Sequence, residues 1–161
     1  RPHLFLDTPE LFSLTGTNFD PTKTFRFRLE VEGVVKFELE LNPKDDNHLE
    51  IDFSKENLST LQPGLYEIEI ERTTDNTTIK HQKQLLLTKR GDLWSPSATD
   101  SSEQKRDGKI DIFDVSRMLS KWNSTFPSDL IEADINPGPN NISQGKIDIF
   151  DVNLMMRNWS R

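Results

Sequence analysis

The octapeptide GKIDIFDV occupies residues 108–115 and returns letter for letter at residues 145–152. A repeat this long in a chain of 161 residues marks a duplicated unit, and the fold of the C-terminal half turns on how one copy is read. Each copy holds two aspartates three positions apart, Asp111 and Asp114, then Asp148 and Asp151. A glycine precedes them and an apolar pattern follows. Val115, Met118, Leu119 and Trp122 trail the first copy; Val152, Met155, Met156 and Trp159 trail the second. That spacing predicts an amphipathic helix in each copy, with the two stripes facing one another as a small antiparallel core. Residues 128–133, after Pro127, read as a short linking helix. No amphipathic helix precedes the first loop, so the unit is loop then helix, twice, and not the helix–loop–helix of a full EF-hand.

A calcium loop of the EF type takes oxygens from positions 1, 3, 5, 7, 9 and 12, with glycine at 6 and only a backbone carbonyl needed from 7. With Gly145 at position 6, Gln144 is position 5 and Lys146 offers its carbonyl from 7. Ile147 packs beneath the loop, and Asp148 and Asp151 are positions 9 and 12. Asp134 and Asn136 supply positions 1 and 3 across a Gly/Pro/Asn-rich insert. In the first copy Gly108 is position 6, and Asp107, Lys109, Asp111 and Asp114 fall at 5, 7, 9 and 12. Strict counting puts Glu103 at 1 and Lys105 at 3, and an ammonium cannot ligate a cation. A longer insert, with residues 95–106 as an exposed excursion, makes Asp92 position 1, and Asp100 is a further carboxylate competing for that role. Oxygen donors without His or Cys nearby point to a hard cation, and this mixed, flexible set suits calcium better than magnesium. Two ions are expected. Aspartate at position 12, in place of a bidentate glutamate, suggests a structural site more than a switch.

The first ninety residues alternate with a period of two. Phe25, Phe27, Leu29 and Val31 face one way, with Arg26, Arg28, Glu30 and Glu32 opposite. Val35, Phe37, Leu39 and Leu41 repeat the pattern, as do Leu49, Ile51 and Phe53, and then Tyr66, Ile68 and Ile70. Residues 79–87 read as a last strand, with early strands at 3–6 and 11–14. Glu67, Glu69 and Glu71 read as a solvated strand face, and His3, His48 and His81 as isolated surface residues. Short strands with turn residues between them predict an immunoglobulin-like β-sandwich.

Composition narrows the function classes. The chain has no cysteine, which excludes disulfides, thiolate zinc sites and cysteine nucleophiles. A net charge of −7 argues against nucleic acid as the main partner. No apolar run approaches the ~20 residues of a membrane span. No nucleophile elbow, phosphate loop or histidine cluster is present, so no enzymatic activity is expected.

Two resemblances follow from these motifs. LTGTNFDPTKTFRFRLEV (residues 14–31) and LQPGLYEIEIE (residues 61–71) resemble the IPT/TIG type of immunoglobulin-like domain. DGKIDIFDVSRMLSKW (residues 107–122) and ADINPGPNNISQGKIDIFDVNLMMRNW (residues 133–159) resemble the dockerin family, from which the inserts and Gln144 depart. The expected organisation is a sandwich over residues 1–90, then a small α-helical dockerin-like domain with two EF-type loops over residues 91–161. An immunoglobulin-like domain directly before a dockerin is also similar to the X-module–dockerin tandem. The resemblance implies a non-catalytic, calcium-dependent module that docks a cohesin-type partner in an extracellular or cell-surface assembly and is monomeric alone. It places partner recognition at loop positions 10 and 11, here Ile112 and Phe113, then Ile149 and Phe150. Two identical faces would permit docking in either of two orientations. Ile112 and Ile149 are the better candidates for exposed anchors, while Phe113 and Phe150 are open between core and docking face. The alternative from another class is a stalk or adhesin fragment that calcium rigidifies and nothing docks.

Overall fold

The computed structural model describes residues 2–81, 84–96, 106–136 and 145–160. A β-rich part is followed by three helices, and the chain divides into two compact units, Arg1–Leu87 and Thr88–Arg161. No helix among the described residues is long and apolar enough to cross a membrane.

The β-rich part contains β1 (His3–Phe5), β2 (Leu11–Thr15), β3 (Phe25–Val31), β4 (Val34–Leu41), β5 (His48–Asp52), β6 (Gly64–Arg72), β7 (Thr77–Lys80) and β8 (Leu85–Thr88). One sheet runs β1-β8-β6-β3-β4, with β7 also paired to β6; β2 and β5 form a separate antiparallel pair. The alternation is realised. Phe27 and Leu29 from β3 and Ile68 from β6 share one core with Leu14, Leu49 and Ile51 of the smaller sheet. Burying each such side chain is worth about 1.5–3 kcal/mol, which fixes the register of every strand that carries one.

Two details depart from the sequence pattern. Val35 was expected beside Phe37 on the inner face. Leu29 pairs with Phe37, yet Glu30 pairs with Val35, so Lys36 is an extra residue in β4. That bulge turns Val35 to the outer face, where it is 43% exposed. The expected last strand over residues 79–87 is two strands on β6: β7 pairs with its Arg72 end and β8 with its Gly64 end. The β3–β4 connection is a two-residue turn, Glu32-Gly33, with φ of 51° and 76°. Positive φ at both central residues matches the right-handed twist of the flanking strands.

The outer face of the larger sheet is a charge lattice. Arg26 lies opposite Glu40 on β4 and Glu71 on β6; Arg28 lies opposite Glu38 and Glu69. Arg26 donates to Glu40 at 2.6 Å and to Glu71 at 3.1 Å, and Arg28 to Glu38 at 2.7 Å and Glu69 at 2.8 Å. Lys80 on β7 reaches Glu30 and Glu67, each at 3.2 Å. These glutamates are therefore cross-strand partners and not simply solvated, and Glu30 and Glu71 are buried.

The second unit contains α1 (Ile112–Ser120), α2 (Pro127–Ala133) and α3 (Ile149–Arg157). Pro127 sits in the first turn of α2, where its missing N–H has no helical partner to lose. Leu93, Ile110, Met118, Ala133, Ile147 and Met155 form the core, with Val115 and Val152 packed against it. The helix stripes are narrower than expected. Leu119, Trp122, Met156 and Trp159 were read as core but are exposed, because the loop isoleucines Ile110 and Ile147 occupy the interior between two nine-residue helices.

Candidate functional site

The octapeptide builds the same corner twice. Gly108 and Gly145 adopt φ of 89° and 68°, a region open to glycine at little cost. Asp111 and Asp148 then cap α1 and α3 in extended conformation. Asp111 Oδ1 accepts from the Phe113 amide, and Asp148 Oδ1 from the Phe150 amide, both at 2.8 Å. The bond is returned three residues on. Asp114 Oδ2 accepts from the Asp111 amide at 2.8 Å, and Asp151 Oδ2 from the Asp148 amide at 2.9 Å. Each aspartate pair is thus a complete capping box at the start of its helix.

The front of each loop comes from far along the chain. Asp92 Oδ2 accepts from the Gly108 amide at 2.9 Å, and its Oδ1 from the Asp107 amide at 3.3 Å. Asp114 Oδ1 accepts from the amides of Leu93 and Trp94, at 2.6 and 2.9 Å. The second copy matches: Asp134 Oδ2 takes the Gly145 amide at 3.0 Å, and Asp151 Oδ1 the amides of Ile135 and Asn136 at 2.9 Å each. The structure therefore brings Asp92 to Asp107 and Asp114, and Asp134 to Asp151, across both inserts. Lys109 and Lys146 hold exposed side chains beside their loops, as expected of residues that offer only a carbonyl. Gln144, Asp100, Glu103 and Lys105 lie outside the described residues.

Asp92, Asp114 and Asp151 are almost fully buried. Burial pushes the Asp92 carboxyl up to about 6, against bonds from Thr88 and Gly108, and the charges of Asp114 and Asp107 push the same way. Burial likewise raises Asp114 and Asp151, and the Asp134 charge adds to the rise at Asp151. Carboxylates crowded in poor solvent favour a cation among them. The donor chemistry fits a hard cation, which Asp134, Asn136, Lys146, Asp148 and Asp151 would hold in the second loop, and Asp92, Asp107, Lys109, Asp111 and Asp114 in the first. With the position-12 oxygens turned to backbone amides, no three His, Cys, Asp or Glu side chains among the described residues stand close enough to grip one ion.

Two participants were missed in the sequence. Thr88 Oγ1 donates to Asp92 Oδ2 at 2.6 Å, and Arg106 Nε donates to the Asp92 carbonyl at 2.8 Å. Ser95 and Arg106, read as the two ends of an exposed excursion, are both buried. Thr88 ends β8 after an apolar run that gave no sign of it; Arg106 looked like part of a charged run.

The partner-recognition candidates stand outside. Ile112 is 61% exposed, Phe113 43%, and Ile149 and Phe150 each 53%, so neither phenylalanine is core. Their surroundings differ. The Trp94 ring packs edge-on against Phe113, with centroids 6.2 Å apart. In the second copy Asn136 takes the matching place, and with Phe150, Asn153, Leu154, Met156 and Arg157 it lines a groove of about 550 Å³.

The chain matches no known family model, and comparison with curated proteins and with solved structures finds no match.

Proposed function

We propose that the helical unit is a calcium-dependent docking module of the dockerin type, non-catalytic and monomeric until it meets a cohesin-type partner at an extracellular or cell-surface assembly. We read the β-rich unit as an immunoglobulin-like sandwich. The strand order supports that reading, as does Tyr66, whose hydroxyl donates to the Gln62 carbonyl at 2.8 Å and accepts from its amide at 3.2 Å in the manner of a tyrosine corner.

One observation carries the docking reading. Apolar residues at matching positions are held out to solvent in both copies: Ile112, Phe113, Leu119 and Trp122 in one, Ile149, Phe150, Met156 and Trp159 in the other. Exposed aromatic and branched side chains gathered on one element are the usual anchors of a protein interface. A calcium-rigidified stalk accounts for the loops but gives these side chains no task. The test is a binding assay against a panel of cohesin-type domains, with calcium and with chelator. Calcium-dependent capture that is lost in a combined Ile149→Ala, Phe150→Ala, Ile112→Ala, Phe113→Ala variant supports docking. A calcium-loaded, folded chain that binds no member of the panel supports the stalk.

A further inference from the structure

The outer face of the larger sheet follows one rule from strand to strand. In register, one row reads Glu38, Arg28, Glu69 and Lys80 across β4, β3, β6 and β7, and the sign of charge changes at every step. A second row reads Glu40, Arg26 and Glu71 across β4, β3 and β6, and alternates in the same way. The first row ends on a cation at β7. At β4 both rows end on a carboxylate. Glu38 and Glu40 are bonded to arginines of β3, yet their side chains stay 45% and 55% exposed.

The backbone ladder also stops at β4, which pairs with β3 alone among the described residues. Past the bulge at Lys36, residues 37–41 form a regular run without proline. Its N–H and C=O groups directed away from β3 meet no strand among the described residues. On the inner side Phe37, Leu39 and Leu41 are only partly buried, while their partners Leu29, Phe27 and Phe25 on β3 are buried.

We propose that β4 is a docking edge for an extended segment of another protein, one with arginine or lysine at every second position and apolar residues between. The segment adds a strand beyond β4. Its cations form the next column opposite Glu38 and Glu40, and its apolar side chains extend the cover over Phe37, Leu39 and Leu41. The sheet already holds the template: Phe25-Arg26-Phe27-Arg28 of β3 has this alternation and lies on the other side of the same two glutamates. Main-chain hydrogen bonds supply affinity, and the charge pattern selects the partner.

The experiment is fluorescence anisotropy of a dye-labelled heptapeptide of alternating valine and arginine, titrated with the full chain. It should bind at least about tenfold more tightly than a peptide of the same composition with its arginines in one block. Glu38→Gln combined with Glu40→Gln should weaken binding about tenfold, whereas Glu10→Gln combined with Glu56→Gln, outside the larger sheet, should not. N-methylation of the peptide backbone keeps every charge and removes the strand's donors, so it should abolish binding. Equal binding of the blocked peptide, or binding that survives N-methylation, would reduce the effect to general attraction by an acidic surface and overturn the proposal. Self-association of the chain that the glutamine pair abolishes would give the edge to a second copy and overturn it too. Should the glutamine pair fail to fold, the three peptides on the unaltered chain decide.

Discussion

The amide of Asn123, just past α1, donates to the carbonyl of Ile147 in the second loop at 2.9 Å, and the Ser160 amide, just past α3, returns the arrangement to Ile110 in the first loop at 3.0 Å. Each helix end is tied to the other copy's loop, so neither copy can loosen without releasing its sister. The helical unit should therefore melt in one transition. All three tryptophans lie in it, and the single tyrosine, Tyr66, lies in the β-rich unit, so the two can be followed separately. Chelator is expected to lower the tryptophan-detected midpoint by roughly 5 °C or more and to leave the β-rich unit folded. Separate midpoints for variants retaining only Trp94 or only Trp159 would show the copies to be independent.

Asp114 and Asp151 each accept three backbone amides, and removing either carboxylate strands those donors in a buried corner. Even with calcium stripped away, Asp114→Ala and Asp151→Ala should each cost about 2–4 kcal/mol in urea unfolding, since a lost cap alone is worth about 1 and each stranded amide adds to it. Asparagine should cost markedly less. A loss below about 0.5 kcal/mol for alanine would mean the capping boxes do not hold the helices.

The Asp92 carboxyl is lifted from its ordinary 3.8 to about 6 in the folded chain, so ionising it costs the native state and not the unfolded one. The cost is complete above pH 6 and absent below about pH 4. Metal-free, the helical unit should gain about 1 kcal/mol between pH 7 and pH 5, and Asp114 and Asp151 are displaced in the same direction. With calcium present the trend should invert, because protons and the ion compete for the same oxygens. Tryptophan-detected urea melts at the two pH values, with and without chelator, check both signs.

Arg28 binds Glu38, Glu69 and Glu71, and the last two side chains are only 12% and 10% exposed. Arg28→Met should destabilise the β-rich unit by about 1–2 kcal/mol, mostly by leaving the shielded Glu69 without a counter-charge and Glu71 with Arg26 alone. Adding Glu69→Gln should return part of that loss. A double-mutant cycle followed by tyrosine fluorescence measures the coupling, and additive costs would show the lattice to be ornamental.

Much of this was legible in the chain. A capping box and the back half of a calcium loop both demand short acidic side chains at the same spacing, so GKIDIFDV announced the loop corners and the helix starts together. The strands of Phe27, Leu29 and Ile68 were announced by alternation for the same reason: one face had to be buried. What was hidden depends on three-dimensional supply. The stripe through Leu119 and Trp122 gave a direction but not the area available to cover it, and Ile110 and Ile147 had already claimed that area. Lys36 forms a bulge with neither glycine nor proline to mark it. Arg106 sits in a polar run whose composition says surface; only the return of Asp107 and Gly108 to Asp92 draws it inward.

The charge lattice on the larger sheet bears on how these molecules meet one another. Among the described residues, six glutamates there pair with three cations, Arg26, Arg28 and Lys80. The strands β1 and β4 end that sheet's pairing order, and β7 pairs with β6 alone, with edges not filled by another strand among the described residues. Two copies approaching edge to edge would bring surplus negative charge together before a single backbone hydrogen bond could form. The lattice therefore acts as a gatekeeper against strand-to-strand aggregation, and it should serve least in high salt, where the repulsion is screened within a few ångströms.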